Sequence, residues 1–394
     1  MRPRLPETLR DAWGGDGAAG VEEGPNTWCE GPARARAILS AVSDDDKAPM
    51  NGDAHVRGRR RVLWWVIVPL ALVVLAINLV LFTPLLDRPV ATNSTPTSTY
   101  DDAMARAELL LAQDTDEINP ACRSKVIDQG RRTDKAVVLL HGFTNCPAQF
   151  DIVAQAYADQ GYSVVVPRLP GHGYSDRLTD APSDVHPADI ADLGDEAVDI
   201  ATGLGQQVEV VGLSGGGTLA GWLASRRPEI TRATLIAPLV IPKVMPAFTV
   251  APVARLARFA PDYYLWWDSS KKEALNDPPY AYPRYSLRSL GAFLTLGRST
   301  LSGERAEPLD QLVVVTNEND GAVSNVGVGQ VADHLADSSL ERIDKDFPAA
   351  DGYGHDLIDP QGENADRIEE IYPQLAELLG LPALQVPSNG GRSP

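Results

Sequence analysis

The chain has 394 residues, with 35 Lys and Arg against 53 Asp and Glu, for a formal net charge of −18. That balance excludes a nucleic-acid partner, because binding phosphates needs a basic face that only a short arginine cluster before residue 62 approaches. At this length a single large α/β domain with appendages accounts for the chain as well as two average domains do.

Residues 1–61 mix Gly, Pro, Ala and charges without periodicity, include the run Asp44-Asp45-Asp46, and read as a disordered tail. Met50 offers a second start that would place the arginines close to the N-terminus. Val62–Phe82 follows with no charged side chain and Asn78 as its one strongly polar residue. At about 1.5 Å per residue its helix is roughly 31 Å long, the thickness of a bilayer core. Pro69 is tolerated in such a span, and Trp64 and Trp65 sit where an interfacial aromatic belt belongs. A cleavable signal peptide has a shorter apolar region, so the stretch reads as an uncleaved anchor. Arg57, Arg59, Arg60 and Arg61 precede the span and only Arg88 follows closely, which leaves the N-terminus cytoplasmic and the rest extracytoplasmic. Cys29 then lies on the cytoplasmic side, with Cys122 and Cys146 outside, the distribution of one exported disulfide plus one unpaired thiol. Such a bridge would close a loop of about 25 residues.

Residues 83–118 read as a linker and a short helix: Asp87–Thr99 is rich in Pro, Thr and Ser, a spacer that holds the folded part off the membrane, and Asp101–Gln113 is helical. From Asn119 to about 380, short apolar runs alternate with helical segments, the pattern of a mostly parallel sheet flanked by helices. Strands are expected at Ala136–Leu140, Ser163–Val166, Val208–Val211, Thr234–Ile236 and Leu312–Val315. Helices are expected at Ala148–Asp159, Ala188–Thr202, Thr218–Arg226, Val326–Leu335 and Ala365–Leu379. Between about 238 and 307 the alternation lapses into a Pro- and aromatic-rich segment too long for a plain connection, expected to form a cap. Residues 381–394 form a second disordered tail.

The chemistry concentrates at Val208–Gly217, where strand formers run into Gly212-Leu213-Ser214-Gly215-Gly216 and a helix follows. This is the pattern of a nucleophile elbow: the serine needs strained dihedrals, and Gly212 and Gly216 remove side chains that would collide in the turn. A serine hydroxyl is a weak nucleophile at neutral pH and needs a base, which in turn needs an orienting carboxylate. After Leu312–Val315 the turn Thr316–Val323 offers Glu318 and Asp320 at the C-terminal sheet edge; we take Asp320, which opens the Asp-Gly-Ala-Val turn. Of six histidines, His55 lies across the membrane, His334 and His186 belong to helices, His141 ends a strand and His172 sits between Gly171 and Gly173. His355 remains, in the loop Asp351–Asp356 before the last helix, in the order serine, acid, histidine. Oxyanion donors are expected at the Gly215 N–H and, from the loop after the first core strand, the Phe143 N–H. No metal site or cofactor is expected, since the histidines lack ligand spacing and no Gly-rich loop carries a phosphate-binding lysine.

At these residues the chain resembles the α/β-hydrolase superfamily, in its serine carboxylesterase and monoacylglycerol lipase or lysophospholipase-like branch. The resemblance spans about Val137 to Leu379 and rests on His141-Gly142-Phe143, Pro170-Gly171-His172-Gly173-Tyr174-Ser175, Gly212–Gly216, Asn319–Val323 and Gly354-His355-Asp356, in family order. It implies an α/β-hydrolase fold with an inserted cap, a triad of Ser214, Asp320 and His355, and an oxyanion hole at Phe143 and Gly215. Asn119–Ser124, Asn145-Cys146-Pro147, Trp266-Trp267-Asp268 and the membrane anchor depart from the general pattern. The expected protein is therefore a membrane-anchored serine hydrolase acting on a small-molecule or lipid ester through an acyl-enzyme. An acyltransferase using the same triad and a catalytically silent membrane-surface scaffold are the competing readings.

Overall fold

The computed structural model describes residues 53–83, 89–272, 278–302, 309–336 and 339–385. Cys29, Met50, residues 1–52 of the N-terminal tail and residues 386–394 of the C-terminal tail lie outside them. Helix α1 (Asp53–Phe82) contains Leu63–Phe82, 20 residues of mean hydropathy 2.7, long and apolar enough to cross a membrane. Pro69 lies within the helix without ending it. Asn78 turns its amide back to the Val74 carbonyl (2.7 Å), which satisfies the polar side chain inside its own helix.

The main sheet has seven strands among the described residues: β1 (Lys125–Ile127), β2 (Thr133–Leu140), β3 (Ser163–Val166), β4 (Gly205–Leu213), β5 (Ile230–Ile236), β8 (Gln311–Asn317) and β9 (Glu341–Phe347), in the order β1-β3-β2-β4-β5-β8-β9. β1 pairs antiparallel with β3 and every other neighbour is parallel. Parallel strands covered on both faces need apolar side chains in both directions. In β2, Ala136, Val138 and Leu140 face one core, shared with helices α4 (Pro187–Leu204), α5 (Gly215–Arg226) and α8 (Asn325–Leu335), while Val137 and Leu139 face the other, shared with α3 (Asp151–Asp159) and α9 (Ile368–Leu379). The expected central strands and flanking helices are all present, each within a few residues at its ends. The two edge strands, β1 and β9, are not among the expected ones: β1 has three residues, and β9, ERIDKDF, carries charges along a half-exposed edge, a common device against edge pairing.

The cap inserted after β5 holds helix α6 (Ala247–Ala257), the antiparallel pair β6 (Tyr264–Trp266) and β7 (Arg284–Ser286), and helix α7 (Leu287–Thr300). The Cys122 and Cys146 sulfurs lie 2.10 Å apart and join the turn Pro120–Cys122 to the loop after β2. Closing that loop contributes about 3 kcal/mol in the chain-entropy account.

Residues 90–99 fall within the expected spacer, yet they are bound along α4 rather than free. Asp195 and Asp199, one turn apart on the same face, accept from Thr92 Oγ1 (2.9 Å), Asn93 N (2.7 Å) and Thr95 N (2.7 Å), and the Asp199 carbonyl accepts from Thr97 Oγ1 (2.6 Å). The strap begins at Val90, whose N–H donates to Ser299 Oγ of α7 (2.8 Å), and leads into α2 (Tyr100–Leu111), capped by Thr99. Under it the fully buried Arg227 guanidinium pairs with both Asp195 and Asp199. Removing the cation leaves buried Asp195 to polar donors alone and Asp199 with Arg106 at 3.3 Å as its one remaining cation, so Arg227→Ala is expected to cost about 3–5 kcal/mol of stability, measured by chemical denaturation. A loss within experimental error would show that the pairing contributes nothing.

Candidate active site

β4 passes into α5 with no intervening loop, and Ser214 occupies the corner at φ 55°, ψ −115°. That left-handed backbone costs about 1–3 kcal/mol for a residue with a side chain and persists only where the surroundings impose it. The constraint here is backbone proximity. A Cβ at position 212 would lie 2.2 Å from the Gly216 carbonyl oxygen, and one at 216 would lie 1.9 Å from that of Leu140. Ser214 is further held by its N–H to Ile236 O (2.9 Å) and its carbonyl to Leu239 N (3.0 Å), so the corner is anchored on the end of β5 and the residues that follow it.

The same packing brings the loop after β2 beside the start of α5. A Cβ at position 215 would lie 2.9 Å from Phe143 N, so the Phe143 backbone packs against residue 215, the one after Ser214. The Gly215 N–H belongs to the first turn of α5, where backbone donors have no partner within the helix. The neighbouring Gly142 N–H instead donates to Gln149 Oε1 (2.7 Å). Thr144, also at positive φ (67°), accepts from the cap twice: from Trp267 Nε1 at its hydroxyl (2.9 Å) and from Tyr282 N at its carbonyl (2.7 Å). The Phe143 ring lies among His172, Trp267, Tyr285 and Phe293, with centroids 5.1–6.3 Å away, so an aromatic layer from the cap covers this loop.

Asp320 and His355 meet although one follows β8 and the other precedes α9. Asp320 Oδ2 accepts from His355 Nδ1 at 2.7 Å, while Oδ1 accepts from the Ala322 and Val323 N–H groups at 2.8 Å each. With Nδ1 donating, the neutral imidazole has its lone pair on Nε2, and that atom is buried without a hydrogen-bond partner, Ser214 Oγ included. Burial disfavours the imidazolium, but the Asp320 hydrogen bond and charge, with the charges of Asp356 and Glu363, outweigh it and raise the His355 pKa above its ordinary value. Burial pushes the Asp320 carboxyl upward; the His355 bond and charge and the two backbone N–H groups outweigh it and hold the carboxyl below its ordinary range.

The other acid of the turn, Glu318, is exposed and accepts from Ala349 N (2.7 Å), which occupies it in a structural contact. His141 and His172 are also structural. His141 Nε2 accepts from Leu169 N (3.0 Å), and burial first, then the charge of His172, lower its pKa well below the ordinary value. His172 donates from Nδ1 to the Pro170 carbonyl (2.8 Å), and burial pulls it down to about 4.

Several residues of the site gave no sequence signal. Asn317, fully buried at the end of β8, donates from Nδ2 to the carbonyls of Tyr353 (2.8 Å) and Gly354 (2.9 Å), fixing the histidine loop to the strand that precedes Asp320. Asn364 accepts from Gly354 N (2.8 Å) and donates to Asp356 O (2.7 Å), bracing the loop from its far side.

Comparison with known proteins agrees with the fold. A thermostable monoacylglycerol lipase of Bacillus sp. (strain H-257) is 37% identical over 102 residues, 24% of this chain and 36% of that lipase, so the match spans about a third of that relative's length. A soluble variant of the monoglyceride lipase of Saccharomyces cerevisiae superposes with a TM-score of 0.50 at 16% identity, covering 65% of this chain and 91% of that one. The monoacylglycerol lipase of Paleococcus ferrophilus does so with a TM-score of 0.50 at 19% identity, covering 65% and 98%. The family described as alpha/beta hydrolase fold matches residues 135–378, the stretch that runs from β2 to α9. On that match, and with the sheet order and the strained serine corner already described, the chain belongs to the α/β-hydrolase family.

Proposed function

We propose that the protein is a serine hydrolase of carboxylic esters, with Ser214 as nucleophile, His355 as general base and Asp320 as the carboxylate that orients it. The reading rests above all on the His355–Asp320 pair, which presents an unoccupied Nε2 lone pair from a buried site. His355 Nε2 takes the Ser214 proton as Oγ attacks the ester carbonyl carbon, and the developing oxyanion is met by the Phe143 and Gly215 N–H groups. On collapse His355 returns the proton to the departing alkoxide, the acyl group stays on Ser214, and water activated by the same imidazole releases the acid. The monoacylglycerol lipases named above make a lipid monoester the substrate class of choice, and the aromatic layer over Phe143 suits an apolar acyl chain.

The same reading places the enzyme at a membrane, through α1, with the N-terminus cytoplasmic and the catalytic domain outside. Phe82 ends α1 and Val90 is already bound to α7, so the intervening chain reaches about 27 Å at most. Phe248, Phe259, Tyr263 and Leu265 stand exposed on the cap, an apolar surface of the kind that meets lipid. External protease added to intact cells should degrade a C-terminal tag; a protected tag would overturn the orientation.

The full-length protein in detergent should convert monoacylglycerols and p-nitrophenyl esters to free acid, with no transfer product when an alcohol is added in competition. Transfer to the alcohol in preference to water would make it an acyltransferase, and inertness towards every ester would overturn the proposal. Gly215→Ala probes the oxyanion site without touching the triad. Its methyl would press on Phe143 N and Cβ and on the Phe293 ring, so kcat is expected to fall about 10²-fold, with a loss of about 1–3 kcal/mol from overpacking that the better helix former offsets in part. An unchanged kcat would remove Gly215 and Phe143 from that role.

A further inference from the structure

A second polar cluster lies behind the site and joins three segments distant in sequence. From the loop after β2 come Asn145 and Gln149, from the histidine loop Asp356 and Asp359, and from the cap Tyr280. Asp359, Gln149, Tyr280 and Asn145 are buried. Gln149 links two of these segments through its two amide atoms: Oε1 accepts from Gly142 N (2.7 Å) and Nε2 donates to Asp356 Oδ2 (2.6 Å). A hydrogen-bond relay thus runs from Gly142, next to Phe143, to Asp356, next to His355.

The remaining contacts hold Asp356 in place. Its Oδ1 accepts from the N–H groups of Ile358 and Asp359 (3.0 Å each), which fixes the carboxylate against its own loop. Asn145 Nδ2 reaches both carboxylates, Asp359 Oδ2 at 3.3 Å and Asp356 Oδ2 at 3.5 Å, so the two acids face each other across one amide. Asp359 also accepts from Tyr280 Oη (2.8 Å) and Gln361 N (2.9 Å). Neither acid is paired with Lys or Arg among the described residues. Burial, and then the charge of Asp356, raise Asp359 to about 6, as expected of a buried carboxyl beside a second acid. Glu363, which accepts from Asp356 N (2.7 Å), and the Tyr372 hydroxyl, which donates to Ile358 O (2.8 Å), complete the polar surroundings.

We propose that Gln149 and Asp356, backed by Asn145, Asp359 and Tyr280, form a positioning relay that holds the oxyanion loop in register with the general base, so that the Phe143 N–H and His355 Nε2 address one transition state together. The proposal rests on the triad reading given above. Its physical basis is that oxyanion donors and base contribute only when held within a fraction of an ångström of the productive geometry, and Phe143 and His355 both lie outside any helix or strand.

The test compares Gln149→Met and Asp356→Asn, singly and together, in the full-length protein, by steady-state ester hydrolysis across pH. Met preserves the length of Gln without either hydrogen bond, and Asn at 356 keeps the local Oδ1 contacts while setting a donor against the Gln149 amide. Each single variant is expected to lower kcat about 10–100-fold with KM within about twofold, and the double variant to be no worse than the more damaged single one, because both break one relay. The two differ in one further respect. Asp356 helps raise the His355 pKa, so Asp356→Asn should move the acid limb of kcat/KM to lower pH, whereas Gln149→Met should leave it where it is. Wild-type kcat in both variants, or additive losses in the double, would overturn the relay while leaving the triad standing. If Gln149→Met does not fold, Asp356→Asn decides alone: a wild-type kcat there refutes the proposal. An inactive wild-type protein would instead refute the triad reading on which it rests.

Discussion

Ser214→Ala should lower kcat/KM for a p-nitrophenyl ester by about 10⁴-fold or more while leaving the folded state intact. The size of the effect follows from the proposed mechanism, in which the substitution removes the atom that would form the acyl bond; the proposed oxyanion donors and substrate binding would remain, and alone they sustain only the residual rate known for enzymes that lose one triad member. The structural cost should be close to zero. Alanine tolerates the positive-φ corner no better than serine, but it loses no hydrogen bond of the hydroxyl, because the contacts that fix residue 214 are made by its backbone N–H and carbonyl. Steady-state kinetics with a thermal melt separates the two effects. A variant that melts like wild type and turns over at an undiminished rate would remove Ser214 from the chemistry.

Asp320→Asn should reduce kcat by about 10⁴-fold, and its pH dependence should carry the signature of the lost charge. The carboxylate now accepts from His355 Nδ1 at 2.7 Å; a carboxamide there can present its NH₂ group instead, which favours the tautomer with the proton on Nε2 and leaves no base facing Ser214. In the wild type, His355 is raised above its ordinary value of 6.5, and only the neutral imidazole can accept the serine proton, so the acid limb of kcat/KM should lie above 6.5. Without the Asp320 charge, burial dominates and the residual limb should move to lower pH. Stability carries matching signs. The raised His355 contributes stability fully present below 6.5 and lost as pH rises through its folded value; the lowered Asp320 contributes stability present above 3.8 and lost as pH falls through its folded value. A melt series across pH should therefore show the wild type gaining most over Asp320→Asn between those limits. An acid limb shared by both proteins would detach Asp320 from the base.

Much of the fold is legible in the sequence because the central strands β2, β4, β5 and β8 are buried on both faces and so appear as short, mostly apolar runs rich in Val, Leu and Ile, interrupted at Glu209 and Thr234. The edges are not legible for the opposite reason. β9 alternates charge with partial burial, and its pairing to β8 is decided by register rather than by any run of its own. In the cap, α6 carries Pro252 and α7 opens directly from β7, so helical periodicity is interrupted where the elements begin. The strap 90–99 has the composition of a flexible linker. What it binds, Asp195 and Asp199, lies about a hundred positions further on, and Thr and Ser offer no local sign of that partnership.

The site divides along the same line. Ser214 is visible because its constraint is local: glycines at 212 and 216 and a strand–helix junction all lie within a few residues. Glu318 and Asp320 are nearly equivalent in sequence, and the contact that separates them, Glu318 to the Ala349 N–H, is made 31 positions away. Asn317, Gln149 and Asp359 are less visible still, since their hydrogen-bond partners stand 36, 207 and 214 positions distant. Residues that act through others carry no motif, and only the folded chain assembles them.

The central claim is that Ser214 is a nucleophile activated by His355. Treating the full-length protein with a fluorophosphonate and mapping the adduct by peptide mass spectrometry tests it most directly, because the reagent requires an activated serine and reports which one reacted. The account predicts a single adduct on the peptide carrying Gly212–Gly217, present in the wild type, absent in Ser214→Ala and strongly slowed in Asp320→Asn. An adduct that persists in Ser214→Ala, or a folded wild-type protein that never reacts, would contradict it.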